Sequence, residues 1–556
     1  MISKKMKTIY NKGLLIIGLL AIIISCSDAL ELEPETTWAA EGFYKTESEI
    51  NIALAGIYSS LSSGQTLGDR MLIMDYGTDE GYALKGWVED TPTNLYTHNE
   101  TTKEITDSWK TFYQGINNVN NFIKYIDPTN FEEEEYNRFI GEARFLRGFF
   151  YYQLTIWWNE VPLRLEPTFD QNSNHKAPAS LEEIYTQIIT DLTFAAEHLP
   201  SAFDGDYVVG HANSMAAHAI LAKTYLKAAG HPLQASEING KNPYQAAKDH
   251  CEIIMTDGNH ALNANYKELF LNYIQNRFDL SESLFEIVFM NGADLGVGLS
   301  GKLGYTNGLL YKPNPRINKP YSDPLINPSP IFELTYEEGD ARKSWNVPGI
   351  SGKANGKISK LAGPLTWGYG IGKFRRWEPI YPDDIEASNL EDTPIVVLET
   401  PSPLSATSTG INLPVVRFAD VLLMFAEATN ELSGPTAEAI AAVDLIRNRA
   451  DLENLATVKP EAIAGKEDFF LEIVDERLRE LCFEGHRKAD LIRWGLLEAK
   501  INELEESIIY NSAYDSKTHT AQLRCVRNFN PSKHLSLPYP QQEVLINNLL
   551  EQKVEW

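Results

Sequence analysis

RFIGEARFLRGFFYYQLTIW, residues 138–157, carries apolar side chains at helical spacing along two stripes rather than one. Phe139, Ala143, Leu146, Phe150 and Leu154 form the first, and Phe145, Phe149, Tyr152 and Ile156 the second. A surface helix needs a single apolar stripe. One that is apolar on two sides has to be covered twice, so it belongs inside a stack of helices. Gly141, Ala143 and Gly148 are the small residues that let neighbouring backbones approach it.

The same period recurs outward from this stretch. Glu47–Leu61 places Ile50, Leu54, Ile57, Tyr58 and Leu61 on one face. Trp109–Ile126 repeats the pattern with Phe112, Ile116, Val119, Phe122, Ile123 and Ile126, and Asp127-Pro128 stops it. Further runs span Leu181–His198, Ser214–Ala229, Tyr244–Thr256, Phe418–Glu431, Ala437–Ala450, Phe469–Glu484 and His486–Leu504. Several fall into helix–turn–helix pairs, with Ala216, Ala217, Ala219 and Ala222 at close approaches. No clean period aligns the pairs. The expected fold is therefore mainly α, a tetratricopeptide-like helical-repeat scaffold whose repeats are degenerate.

Two segments break the period. Ser62–Glu104 lacks it, and Asn291–Leu413 is rich in Gly and Pro, with Pro313, Pro315, Pro320, Pro324, Pro328 and Pro330 close together. Short β-like runs, Leu284–Met290 and Ile395–Leu398, stand beside the second. Long irregular segments in a compact chain are usually functional. The chain thus divides into a leader at 1–25, an N-terminal arm at 26–46 and a helical scaffold at 47–290 bearing a ligand loop at 62–104. An irregular, loop-rich lobe with a few short strands follows at 291–416, and 417–556 returns to the same scaffold.

The first residues set the compartment. Lys4, Lys5, Lys7 and Lys12 precede the apolar run Gly13–Ile24, which is too short to span a bilayer comfortably. The run ends in Ile23-Ile24-Ser25-Cys26, the pattern of a lipobox, in which cleavage before Cys26 frees its amine and its sulfur takes a diacylglyceryl group. More than one acyl chain suffices for stable anchoring. Loss of residues 1–25 leaves 45 basic against 76 acidic side chains, a net charge of −31. That balance argues against nucleic acid and acidic lipid surfaces as partners. Cys251, Cys482 and Cys525 remain, an odd number without Cys-x-x-Cys or adjacent His spacing, and read as buried free thiols.

The inventory of reactive groups is short. Gly296-Val297-Gly298-Leu299-Ser300-Gly301 fits a dinucleotide fingerprint, yet the loop-like Lys302–Gly308 follows where a helix N-terminus is required. Glu476, Glu480 and Glu484 share one helix face, but glycoside hydrolysis needs two carboxylates opposed across a sugar. Interleaved with Arg477, Arg479, Arg487 and Arg493, the row reads as an ion-pair lattice. No catalytic set, metal-ligand spacing or cofactor motif emerges. Aromatics do. Tyr76, Tyr82, Trp87 and Tyr96 are interleaved with Asp75, Asp79, Glu80, Asn94 and Asn99. Tyr305, Tyr311, Tyr321, Trp345, Trp367, Tyr369, Trp377 and Tyr381 stand in the second segment. A flat ring suits the C–H face of a sugar, and short polar side chains suit its hydroxyl rim. Tyr82, Trp87, Tyr96, Trp345, Trp367 and Tyr369, with Asp79 and Asn94, are the candidate ligand-binding set.

Five ordered motifs together resemble the SusD/RagB family of outer-membrane nutrient-binding lipoproteins. They are Cys26-Ser27-Asp28 leading to Phe43-Tyr44-Lys45-Thr46-Glu47, Gly141–Tyr152 with its Val161-Pro162-Leu163 turn, Arg417–Ala428, Glu484-Gly485-His486-Arg487 to Arg493-Trp494-Gly495, and Leu537–Val544. Lys488-Ala489 departs from the family, which prefers aromatics there, and Asn547-Asn548 stands where Asn-Pro is common. The resemblance covers essentially the whole mature chain. It implies a lipid-anchored protein of the outer membrane facing the exterior, and an oligo- or polysaccharide ligand. It also implies a SusC-like TonB-dependent transporter as partner, and no enzymatic activity. Three alternatives stay open: an oligopeptide-binding protein of the RagB kind, a surface glycosidase, and a structural transporter subunit without a ligand.

Overall fold

A computed structural model of the chain describes residues 42–83, 92–170, 172–205, 207–290, 300–316, 319–353, 357–366, 368–380, 394–399, 404–519 and 522–556. The leader, the lipobox with Cys26, Trp87, Trp367 and most of the glycine-rich 296–301 stretch lie outside these residues.

The chain opens with α1 (Glu47–Ser62), α2 (Arg70–Asp75), β1 (Gly81–Ala83), α3 (Lys103–Tyr125), α4 (Glu133–Trp158), α5 (Leu181–His198), α6 (Ser214–Ala229), α7 (Pro243–Thr256) and α8 (Tyr266–Ile274). Starts are well marked. Thr46 with Glu49 and Ser180 with Glu183 form capping boxes ahead of α1 and α5. Glu133, Glu134 and Glu135 complement the dipole at the start of α4.

Each helix packs on the next: α1 on α3, α3 on α4, α4 on α5, α5 on α6 and α6 on α7. Both stripes of α4 are covered, with Phe139, Leu146, Phe150 and Leu154 buried alongside Phe145 and Phe149. A Cβ on Gly148 would lie 3.1 Å from Leu192 Cγ of α5, and one on Gly115 of α3 would lie 2.4 Å from the Phe150 ring. These glycines set the spacing of the stack.

The lobe is an insertion with a neck. β2 (Ser283–Ile287) leads into it and β8 (Leu413–Arg417) leads out, and the two pair antiparallel with Ile287 opposite Leu413. Between them lie β3 (Ile326–Pro328), α9 (Pro330–Leu334), α10 (Ala341–Asn346), β4 (Ile350–Gly352), β5 (Ile358–Lys360), β6 (Trp377–Pro379) and β7 (Ile395–Val397). β4 pairs with β5 and β6 with β7. The chain then resumes with α11 (Phe418–Ser433), which docks on α7, followed by α12 (Ala437–Arg449), α13 (Leu455–Val458) and α14 (Lys466–Leu481). α15 (Arg487–Arg493), α16 (Leu497–Ile509), α17 (Arg524–Asn528) and α18 (Gln541–Ile546) complete it. The stack broken at α7 continues through α11, so both scaffold segments build one body.

Boundaries differ from the sequence reading. α3 begins at Lys103 rather than Trp109, and α4 begins at Glu133 rather than Arg138. The expected helix over His486–Leu504 is two helices, α15 and α16, separated by a turn in which Gly495 takes φ +72°. The run over Phe469–Glu484 ends at Leu481, because Phe483 and Gly485 adopt positive φ. The 62–104 segment contains α2 and β1, both too short to leave a periodic signal. The three cysteines are free and buried. Among the described residues no helix is long and apolar enough to cross a membrane.

Candidate functional site

The two irregular segments, far apart in sequence, form one body. β1 pairs antiparallel with β3, Tyr82 lying opposite Asn327. The Ser329 amide donates to the Glu80 carbonyl at 3.0 Å, the Lys302 amide donates to the Gly68 carbonyl at 2.9 Å, and Lys302 Nζ lies 3.0 Å from Asp69.

A buried charge lattice holds this body on the scaffold. The row from α14 is its centre. Arg342 of α10 donates to Glu476 at 2.6 Å and Glu480 at 3.1 Å, and Lys373 donates to Glu484 at 2.6 Å. Arg417, at the end of β8, donates to Glu282, Glu480 and Glu484 at 3.0, 2.5 and 2.9 Å. Arg449 of α12 reaches Glu282 at 2.7 Å and Glu480 at 2.5 Å. On the other side Arg487 of α15 grips Asp79 through Nε and Nη2, at 2.9 and 2.6 Å. Burial opposes ionisation of Glu480, but Arg449, Arg417, Arg342 and Lys373 outweigh it and hold the carboxyl well below its ordinary range. Burial likewise opposes ionisation of Glu476, yet Arg342 and Arg479 bring it down to about 2. Carboxylates so engaged are unsuited to exchanging a proton with a substrate. The expectation of an ion-pair lattice agrees with this arrangement. Its partners, however, come mostly from outside α14, and it lies in the interior rather than on a solvated face.

The candidate ligand-binding set is placed as follows. Tyr82 is buried, its hydroxyl donating to the Pro364 carbonyl at 2.6 Å. Tyr96 is buried edge-on against Phe529, its hydroxyl donating to the Gly77 carbonyl at 2.9 Å. Lys488, the departure from the family pattern, stands 5.0 Å from the Tyr96 ring centroid and donates to the Met74 carbonyl. Asp79 is consumed by Arg487, and Asn94 is fully buried. Tyr369 bonds Glu333 at 3.3 Å. Trp345 donates its indole N–H to the Lys373 carbonyl at 3.2 Å, with the Arg375 guanidinium 4.0 Å from the ring centroid. None of the four described rings is more than 4 % exposed, so none offers a face to a ligand in this structure. The reading of these rings as solvent-facing platforms is corrected: Tyr82, Tyr96 and Trp345 donate to loop carbonyls, Tyr369 bonds the Glu333 carboxylate, and the rings are buried, Tyr82 and Tyr96 in one apolar cluster with Leu491 of α15 and Leu497 of α16. Trp87 and Trp367 lie outside the described residues.

What remains accessible lies nearby. Tyr305 is half-buried and stacks with Tyr321, centroids 6.2 Å apart, and exposed Arg316 sits 4.3 Å from the Tyr321 centroid. Lys312 pairs with Asp323 at 2.6 Å beside them. A cleft of about 920 Å³ opens where Trp345, Lys267, Lys343 and Glu378 meet, between α8, α10 and β6. Tyr305 was visible as an aromatic in the sequence, but nothing local marked it as less covered than Tyr321, which is buried. Among the described residues no group of three or more His, Cys, Asp or Glu is arranged to hold a metal ion.

The chain superposes on a SusD homologue from Bacteroides thetaiotaomicron with a TM-score of 0.80, covering 93 % of this chain and 98 % of that one at 23 % identity. A laminarin-binding SusD-like protein matches with a TM-score of 0.68 over 92 % of this chain and all of the other, also at 23 % identity. In sequence, a SusD-like protein of Formosa agariphila is 27 % identical over 553 residues, 95 % of each chain. Residues 395–556 match the family model described as SusD family, and residues 30–226 match that described as "Starch-binding associating with outer membrane". The chain belongs to the SusD-like family.

Proposed function

We propose that this protein binds oligo- or polysaccharide at the outer surface of the cell and delivers it to a SusC-like TonB-dependent transporter, without chemistry of its own. Cys26 carries the lipid anchor. The observation that supports this most directly is the single body built from the two irregular segments, set on a helical scaffold in a chain related to glycan-binding proteins. A rigid scaffold under variable loops is how binding sites are commonly presented. Ligand contact is assigned to the surface of that body, where half-buried Tyr305 and exposed Arg316 stand, and Trp87 and Trp367 are kept from the sequence as candidate platforms. Burying on the order of 60 Å² of C–H face per ring at about 25 cal/mol/Å² gives roughly 1.5 kcal/mol each. Two or three rings then support a Kd near millimolar, weak enough for release.

The test is an affinity-gel and glycan-array screen with the protein lacking residues 1–26, followed by Trp87→Ala and Trp367→Ala. About tenfold weaker binding to the best glycan is expected for each. Unchanged affinity in both folded variants sinks the site, and retention of peptides instead of glycans sinks the ligand class. New reducing ends that co-purify with the protein would establish a glycosidase in its place.

A further inference from the structure

Away from the lobe, on the scaffold, two imidazoles face each other. His218 of α6 and His250 of α7 place their Nδ1 atoms 3.0 Å apart, with ring centroids 5.2 Å apart. Both side chains are half-buried and so remain within reach of solvent. Tyr225 stacks on His250 at 5.8 Å and 19°, which fixes the plane of that ring.

Other imidazoles of the chain are matched with a different kind of group. His211 meets Glu142 at 2.6 Å, His260 meets Asp257 at 2.6 Å, and His198 meets the Phe194 carbonyl at 2.9 Å. The 218–250 pair sets like against like. A neutral imidazole has one lone pair and one N–H, so at most one proton occupies the space between these two nitrogens. Zn–N bonds of about 2.0–2.1 Å place two nitrogens of one metal about 2.9–3.4 Å apart, for inter-ligand angles from 90° to the tetrahedral value. The observed separation falls in that interval.

We propose that His218 and His250 form a two-imidazole site for a borderline divalent transition ion, Zn²⁺, Ni²⁺ or Cu²⁺, which takes the place of the shared proton. Imidazole nitrogen suits these ions, whereas Ca²⁺ and Mg²⁺ require oxygen donors. Water completes the coordination shell, and the ion ties α6 to α7. Neither the glycan reading nor the lobe enters this assignment.

The test uses the full-length protein in detergent, stripped with a chelator and titrated separately with ZnCl₂ and CuSO₄. Calorimetry is expected to show one saturable equivalent, and the Cu²⁺ spectrum to show coupling to two nitrogens. His218→Gln and His250→Gln keep size and polarity while removing a ligand, and each is expected to weaken that equivalent at least tenfold. His218→Ala/His250→Ala abolishes it, with circular dichroism confirming the helical fold. MgCl₂ is expected to give no such equivalent. Absence of saturable Zn²⁺ and Cu²⁺ binding by the wild type overturns the proposal. So does an equivalent of unchanged affinity in the glutamine variants.

Discussion

Arg417→Met tests whether the buried lattice clamps the lobe to the scaffold. The guanidinium is buried and meets three carboxylates, Glu282, Glu480 and Glu484, as well as the Glu480 carbonyl at 2.6 Å. Methionine fills the aliphatic path but neutralises nothing. Arg449 still serves Glu282 and Glu480, and Lys373 still serves Glu484, so the loss is partial. Breaking a buried ion pair from one side costs about 3–5 kcal/mol. For 556 residues, an unfolding entropy of about 2.1 cal/mol/K per residue comes to roughly 1.2 kcal/mol/K, so Tm falls by about 3–4 °C. The assay is differential scanning calorimetry at pH 7. Adding Glu282→Gln removes one carboxylate while Arg449 keeps Glu480, and recovers part of the loss. The pH dependence has a definite sign. Glu480 and Glu484 are held below the ordinary carboxylate range, so their contribution is complete above about pH 4.3 and is lost as pH falls through their folded values. Without Arg417 both protonate more readily in the folded state, and the gap between variant and wild type narrows as the solution is acidified. A variant within about 1 °C of wild type at pH 7, or a gap that widens in acid, would refute the reasoning.

Tyr82→Phe removes a hydroxyl that packs the lobe, so about 1 kcal/mol of stability is lost in urea titrations. Affinity for a retained glycan stays the same, and a drop in affinity would make the Tyr82 hydroxyl a ligand contact. Gly495→Ala puts a Cβ at φ +72° and 3.2 Å from the His231 ring. It is expected to lower stability by about 1 kcal/mol or more, read as a lower Tm, and an unchanged Tm would mean that the α15–α16 turn tolerates a side chain. Cys26→Ser is expected to abolish labelling with a fatty-acid analogue and to release the protein into the soluble fraction. Persistent labelling of that variant would overturn the lipobox.

The scaffold was legible because helices announce themselves at a period of 3.6. Leu181–His198 and Ser214–Ala229 match α5 and α6 residue for residue, and the double stripe of 138–157 located the centre of the stack. The lobe was legible as a break in that period, with the runs Leu284–Met290 and Ile395–Leu398 marking β2 and β7. Its strands are three to five residues long, and the pairing that joins the two segments, Tyr82 with Asn327, spans hundreds of positions, a partner that no local pattern encodes. The same limit misjudged exposure. Aromatics in a stretch without periodicity looked exposed, but Tyr82, Tyr96, Trp345 and Tyr369 are buried, Tyr82 and Tyr96 against α15 and α16 of the scaffold. The glutamate row was read correctly as electrostatic. Its partners Arg342, Lys373 and Arg417 were invisible because they arrive from the inserted lobe and its neck.

That neck has a consequence for how such a chain can change. With Ile287 opposite Leu413, the polypeptide leaves the scaffold and returns to it about 5 Å away, the spacing of neighbouring strands. The roughly 120 residues between are therefore a cassette. Their length and composition can drift, or be exchanged wholesale for another lobe, while α7 and α11 keep their contact. The exchange has one condition written in charge. An incoming cassette must bring cations to the positions of Arg342 and Lys373, or Glu476, Glu480 and Glu484 are left buried with too few partners. A family built this way can diversify what it holds while conserving how it holds on.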